Sequence, residues 1–360
     1  MKKNISGFIL WYLRVFARLQ IKKINPLIIG VGGASGKTSL SNFLHIIFRK
    51  KYTVKQGRGK NSETGIPLDI LGLYLNHYTY SEWVKIMILT PLRLFFDWKK
   101  YQVYIAEMGI DSPLEPKNMS YLLKIIKPKI GVLTNISFEH SVYFDPLVDN
   151  KSLRSREEDI LKLTAHQEGL LLTTLDKNGT AVLNIDDKSI SNLKKDIQAN
   201  IVTVSSKSKE ADYYIEGIKN FVDGFLLQFK FNNKKYKLKI ENPLPEHFAY
   251  SFILAIAIAR AADIAVEDAI RSLEKDFSLP PGRMSVFKGI KDTIIIDSSY
   301  NNATLTPMLD LLSFVQDIGK QRRRIGIIGD MRELGTMSKA MHEEVAAKIL
   351  SSLDTVILIG

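Results

Sequence analysis

One stretch, Gly30-Val-Gly-Gly-Ala-Ser-Gly-Lys-Thr-Ser39, carries the residue types that hold polyphosphate. Its glycines let backbone N–H groups close on phosphate oxygens, and a helix starting there adds the positive end of its dipole. Lys37 is spaced to reach β- and γ-phosphates, and the Thr38 hydroxyl to ligate Mg²⁺. Val31 stands where the full Walker spacing has its first glycine, while the shorter Gly33-Ala-Ser-Gly-Lys-Thr38 form is intact. The expected nucleotide contacts are Gly33, Ala34, Ser35, Gly36, Lys37, Thr38 and Ser39. A purely structural turn is the competing reading; the apolar run before the loop and the helical pattern after it favour ATP or GTP. Glu107 closes another apolar run, and His140 follows a third. Strand C-termini line the ligand crevice of an open α/β sheet, where Glu107 is a hard oxygen ligand for Mg²⁺ and His140 an imidazole within reach. A salt bridge for Glu107 and a hydrogen-bonded loop role for His140 are the plainer alternatives.

Those groups converge only if the surrounding elements build such a sheet. Apolar runs at 27–32, 103–108, 130–135, 181–185 and 201–204 read as strands, with helical patterns at 38–48, 83–96 and 121–126. Residues 213–240 alternate with period two, punctuated by Asp223-Gly224 and Asn232-Asn233, and predict a β-meander. Helices follow at 249–261 and 266–275, and Leu279-Pro-Pro-Gly-Arg283 is a rigid break. A second α/β pattern comes next: strands 293–297, 324–329 and 355–359, helices 305–314 and 338–353. The fold class is thus α/β, in three segments. Residues 1–26 form an apolar, basic helix, 27–283 a central P-loop domain with a mostly parallel sheet, and 284–360 a Rossmann-like domain. The sequence stops straight after a strand, so that last domain reads as incomplete.

With 360 residues, 45% of them hydrophobic, the chain can bury a large core. A formal charge of +12 favours anionic partners, yet no aromatic-interleaved basic block marks a nucleic-acid module. The absence of cysteine rules out disulfides and thiolate zinc sites. Residues 5–21 are dense in apolar side chains, but Arg14 and Arg18 interrupt a run too short to span a bilayer. Two readings stay open for this segment: a helix packed on the next domain, or peripheral contact with an anionic membrane.

Further motifs stand in order along the chain: Asn61-Ser-Glu-Thr-Gly-Ile-Pro-Leu68, Ala106-Glu-Met-Gly109, Leu133-Thr-Asn-Ile136 with His140, and Gly179 to Asp187. Pro281-Gly-Arg283, Asp297-Ser-Ser-Tyr-Asn301 and Gly329-Asp-Met-Arg-Glu-Leu-Gly335 complete the set. With the phosphate loop, these resemble the Mur ligase family. The resemblance implies an ATP-dependent amide ligase (an acid–amino-acid ligase) of peptidoglycan synthesis in the cytoplasm. ATP would convert a peptide carboxylate into an acyl phosphate, and an amine would displace phosphate. The implied substrates are a UDP-muramyl peptide or related cell-wall precursor and an amino acid or dipeptide such as D-Ala-D-Ala. By the same resemblance Thr38 and Glu107 hold one Mg²⁺ and His140 a second, Asn61 and Glu63 lie by the substrate, and Arg283, Asp297 and Asn301 serve the nucleotide.

The chain also departs from the family. Its members carry a carbamylated lysine on the helix after the histidine motif; here the stretch is Leu163-Thr-Ala-His-Gln-Glu-Gly169, with His166 or Gln167 in that place. His166 can ligate metal or sit on the helix surface. Pro245-Glu-His-Phe-Ala-Tyr-Ser251 keeps His247 but ends in serine where the family has asparagine. The family's UDP-gripping N-terminal domain has no counterpart in residues 1–26, so the inner membrane face enters as a second expected location. A polyglutamate-type ligase and a degenerate nucleotide-binding partner subunit are the alternative functions.

Overall fold

The computed structural model describes residues 2–97, 100–138, 141–148, 152–221, 223–279, 281–300 and 305–360. Nine strands make one sheet: β1 (Leu27–Gly32), β2 (Val54–Gln56), β3 (Val103–Glu107), β4 (Ile130–Leu133), β5 (Thr180–Asn184), β6 (Asn200–Ser205), β7 (Tyr213–Phe221), β8 (Gly224–Phe231) and β9 (Lys234–Ile240). Their spatial order is β2-β3-β1-β4-β5-β6-β7-β8-β9. Every pair from β2 to β7 is parallel; helical crossovers separate β1 to β6 in sequence, and β7 joins β6 through only two paired positions after the short connection 206–212. Parallel strands covered on both faces read as continuous apolar runs, and β3 and β4 are buried at every position. The meander then adds β8 and β9 antiparallel. Asn232 and Asn233 turn its second hairpin at φ 48° and 60°, the left-handed conformation a two-residue turn demands.

Helices α1 (Lys2–Ile24), α2 (Lys37–Phe48), α3 (Gly65–Leu71), α4 (Tyr80–Phe96), α5 (Met119–Leu123), α6 (Leu153–Thr173), α7 (Lys188–Asn192), α8 (Phe248–Ala261) and α9 (Val266–Asp276) cover this sheet. On one face α2, α8 and α9 bury a core in which Phe43 stacks on Phe252 with ring centroids 4.6 Å apart. On the other, Ile125 and Ile126 follow α5, and Leu171 and Leu172 of α6 close a second core. α1 lays Leu13 in a small cluster with Leu68, Leu71 and Ile86 from α3 and α4, so the packing reading of the N-terminal segment is realised on that face.

The C-terminal segment contains β10 (Ser285–Lys288), β11 (Ile294–Asp297), α10 (Leu305–Ile318), β12 (Ile325–Gly329), α11 (Ser338–Ser352) and β13 (Thr355–Ile359). The α/β alternation is as expected from the sequence, but β10 is an addition. It pairs antiparallel with β11, while β12 and β13 form a separate parallel pair. Leu358 and Ile359 on β13 are exposed. Asp145 ties this segment to the central domain, accepting from Thr336 N at 2.7 Å and Thr336 Oγ1 at 3.0 Å.

Candidate active site

β1 lies between β3 and β4, and the chain visits the β2–β3 side before crossing to β4. That reversal opens a crevice at the strand C-termini, the usual ligand position in such sheets. The phosphate loop leaves β1 directly into it. Gly33 has φ +106°, and a Cβ there would lie 2.4 Å from Thr134 Oγ1 and 2.8 Å from Thr134 N. Only glycine fits. Gly36, at φ +81°, starts α2 without a side-chain cap. The first-turn N–H groups of α2 therefore face an incoming anion with no side chain in competition.

Residues distant in sequence hold the loop in shape. Asn135, just beyond β4, accepts from Ala34 N through its carbonyl at 3.0 Å and from Ser35 N through Oδ1 at 2.9 Å. Glu168, on α6 and only 4% exposed, accepts from Gly33 N at 3.1 Å. Lys37 Nζ lies back across the loop, donating to the Gly33 carbonyl and to that of Ala34 at 2.6 Å.

Thr38 Oγ1 donates to Glu107 Oε2 at 2.9 Å. Glu107 is 2% exposed, and its other oxygen, Oε1, is buried with no hydrogen-bond partner among the described residues. Burial pushes the Glu107 carboxyl above its ordinary range, offset in part by the Thr38 hydrogen bond and the charges of Lys37 and Arg283. An orphaned carboxylate oxygen beside a threonine hydroxyl fits a hard divalent cation such as Mg²⁺. Among the described residues no three acidic or imidazole groups converge on one point. Such an ion would therefore take its remaining oxygens from phosphate and water, as Mg²⁺ ordinarily does.

The crevice, about 680 Å³, is also lined by Asn61, Asn135, His247, Arg283 and Tyr300. The Asn61 carbonyl accepts from Gly109 N at 3.1 Å, and a Cβ on Gly109 would meet Asn61 Nδ2 at 2.7 Å. Arg283 stacks on the Tyr300 ring, 4.5 Å from its centroid. His247 Nδ1 lies 3.3 Å from Asp310 Oδ2 on α10.

Other expected residues are placed differently. Asp297 accepts from Ser299 N and Oγ, which holds its carboxyl below the ordinary range, and it lines a neighbouring C-terminal cavity instead of this crevice. Glu63 does not line the crevice; its charge acts on the Tyr121 phenol. His166 is on the exposed side of α6, and the side chain of that stretch that reaches the loop is Glu168. His140 and Asn301 lie outside the described residues. The acidic pair ending the 179–187 motif makes structural bonds. Asp186 accepts from Tyr250 OH and Ser206 N, each at 2.6 Å, and Asp187 accepts from Ile136 N and caps α7.

Comparison with known proteins agrees with this arrangement. The model of the Mur ligase middle domain matches residues 31–259, and that of the Mur ligase glutamate ligase domain matches 282–360. A UDP-N-acetylmuramoyl-tripeptide–D-alanyl-D-alanine ligase of Rickettsia prowazekii is 27% identical, over 90% of this chain and 63% of that protein. The Bacillus subtilis enzyme of the same name is 23% identical, over 94% and 63%. The chain thus spans somewhat less than two thirds of these relatives. Among solved structures, the MurF ligase of Thermotoga maritima in complex with ADP superposes with a TM-score of 0.75 at 21% identity, covering 97% of this chain and 70% of that one. With two family domains matched in order over most of its length, the chain belongs to the Mur ligase family.

Proposed function

We propose that this chain is an ATP-dependent acid–amino-acid ligase acting in the cytoplasm on a UDP-muramyl peptide or related cell-wall precursor. The amine would be an amino acid or a dipeptide such as D-Ala-D-Ala, the group named in the relatives. The observation that carries the reading is one crevice joining Lys37, the Thr38–Glu107 pair and Arg283.

In this reading the central domain, 27–283, supplies the phosphate site and the segment 284–360 closes over it. Lys37, released from the Gly33 and Ala34 carbonyls, pairs with the β- and γ-phosphates, and Arg283 offsets charge from the opposite wall. Thr38 and Glu107 would hold Mg²⁺, which neutralises phosphate charge when bound. Asn61, seated on Gly109, faces the acid substrate. A carboxylate oxygen attacks the γ-phosphorus and ADP departs, leaving an acyl phosphate. The amine then attacks the acyl carbon, phosphate leaves with the C–O bonding pair, and the amine's proton is lost as the amide forms. Closure keeps water from the acyl phosphate. Asn301 is proposed on the ribose side and His140 at a second metal; Asp297, in the neighbouring cavity, would join the ribose side only when 284–360 closes, and Glu63 is given no contact in the crevice. We assign His166 no step, because it is exposed.

The test is ADP release with UDP-muramyl-tripeptide and D-Ala-D-Ala, each omitted in turn. Release that needs both, yields the ligated mass and is abolished in Lys37→Ala supports the reading. Nucleotide binding without turnover over a range of acids and amines would favour a nucleotide-binding partner subunit instead.

A further inference from the structure

The α1–α4 layer presents an outer face unlike that of an ordinary covering helix. On α4, Val84, Ile88 and Phe95 are 59%, 60% and 67% exposed, and Leu92 and Phe96 are exposed beside them. Spacings of four, four and three residues put Val84, Ile88, Leu92 and Phe95 on one side of the helix. The opposite side is the buried one, through Ile86 and Thr90. α1 repeats the pattern, with Leu13 and Ala17 buried and Phe8, Trp11 and Leu19 exposed.

The two helices are joined side by side. Tyr12 OH donates to the Met87 carbonyl at 2.8 Å, and Lys23 Nζ to the Leu94 carbonyl at 2.7 Å. The Phe8 ring lies 6.3 Å from that of Tyr12, at the seam. Because Leu13 and Ile86 share one buried cluster, the opposite faces of α1 and α4 look outward together. Scattered exposed apolar side chains are ordinary, but a contiguous stripe with a charged rim marks an interaction site.

The rim decides the partner. α1 presents exposed Arg18 and Lys22 and no acidic residue; α4 adds exposed Lys85 against Glu82, while Arg93 pairs with Asp97 at the helix end. Two copies meeting through this face would bring like charge together, whereas an anionic lipid surface satisfies both the stripe and the rim. Among the described residues no helix is long and apolar enough to cross a membrane. We propose that the α1–α4 layer docks on the surface of an anionic phospholipid bilayer, its apolar stripe in the headgroup boundary and its basic side chains at the phosphates. The inference stands on this surface alone and needs no assumption about the reaction.

Flotation of the full chain with vesicles of phosphatidylglycerol and phosphatidylcholine, against phosphatidylcholine alone, tests it. The chain should float with the anionic vesicles only. Arg18→Gln with Lys22→Gln should weaken partition by about fivefold per charge removed. Ile88→Ser with Phe95→Ser should weaken it by about tenfold or more, with the thermal midpoint and nucleotide binding unchanged. A chain that stays with the soluble fraction overturns the proposal, as does flotation indifferent to the serine pair. Dimerisation without lipid that the serine pair abolishes would assign the face to a second copy instead.

Discussion

Replacing Gly33 by alanine should cost far more than replacing Gly36, although both are loop glycines with positive φ. At Gly36 the new Cβ meets nothing nearer than 3.9 Å, so the change costs only backbone strain at φ +81°, about 1–2 kcal/mol. At Gly33 the same strain is joined by a collision: Thr134 Oγ1 at 2.4 Å, Thr134 N at 2.8 Å and the Asn135 carbonyl at 2.9 Å. Two of those atoms are backbone and cannot rotate away. Overpacking of this kind adds about 1–3 kcal/mol, so Gly33→Ala should cost about 2–5 kcal/mol in all. Moving the loop off Asn135 also misplaces the Ala34 and Ser35 N–H groups, so nucleotide affinity should fall with stability. Urea unfolding of both variants, checked for equal slopes, and titration with a fluorescent nucleotide measure the two effects. Thr134→Ala in the Gly33→Ala background removes the nearest atom but neither backbone contact, and should recover only part of the loss. If Gly33→Ala is no more destabilising than Gly36→Ala, the packing argument is wrong.

Three further outcomes follow from the same geometry. Glu168→Ala leaves the buried Gly33 N–H without an acceptor and should cost about 1–3 kcal/mol in urea unfolding, while Glu168→Gln, which keeps an acceptor, should cost less; equal losses would show that Glu168 does not act through that bond. Thr336→Val removes the hydroxyl bond to Asp145 while leaving the Asp145–Arg156 ion pair in place, and should speed proteolysis within 284–360 by about fivefold with little change in the rest of the chain. The Glu107 carboxyl is raised by burial, so it keeps its proton to a higher pH than an ordinary glutamate. Its ionised form gains from a cation, so nucleotide affinity should fall on acidification above the ordinary glutamate range, and added Mg²⁺ should move that fall to lower pH; a midpoint insensitive to Mg²⁺ would count against Glu107 as the ligand.

The phosphate loop and Glu107 were legible because local spacing encodes them: a turn, a helix start and a strand end fix their places. Asn135 stands inside the Leu133-Thr-Asn-Ile136 motif with nothing to single it out, and Glu168 lies two residues beyond His166 with no local signal of its own. Both reach the loop from 100 or more positions away, through contacts with no periodic trace. On α6 the buried side runs through Thr164, Glu168, Leu171 and Leu172, and Leu163-Thr-Ala-His-Gln-Glu-Gly169 gives too weak an apolar pattern to show which residue turns inward. β2 is three residues long, below what periodicity can register. The strand and helix pattern of 284–360 was readable. The β10–β11 pairing was not, because its connection passes through left-handed Lys291 and Asp292, positions that carry no glycine signal. α1 is apolar on both sides, so its composition alone did not separate packing from docking.

The central claim is that ATP activates a carboxylate through its own oxygen. It is tested most directly by ligating UDP-muramyl-tripeptide labelled with ¹⁸O in its terminal carboxylate and analysing the released phosphate by mass spectrometry. An acyl-phosphate route transfers one labelled oxygen to each phosphate, in step with amide formed. Phosphate released without label, or amide formed without ADP, would contradict it.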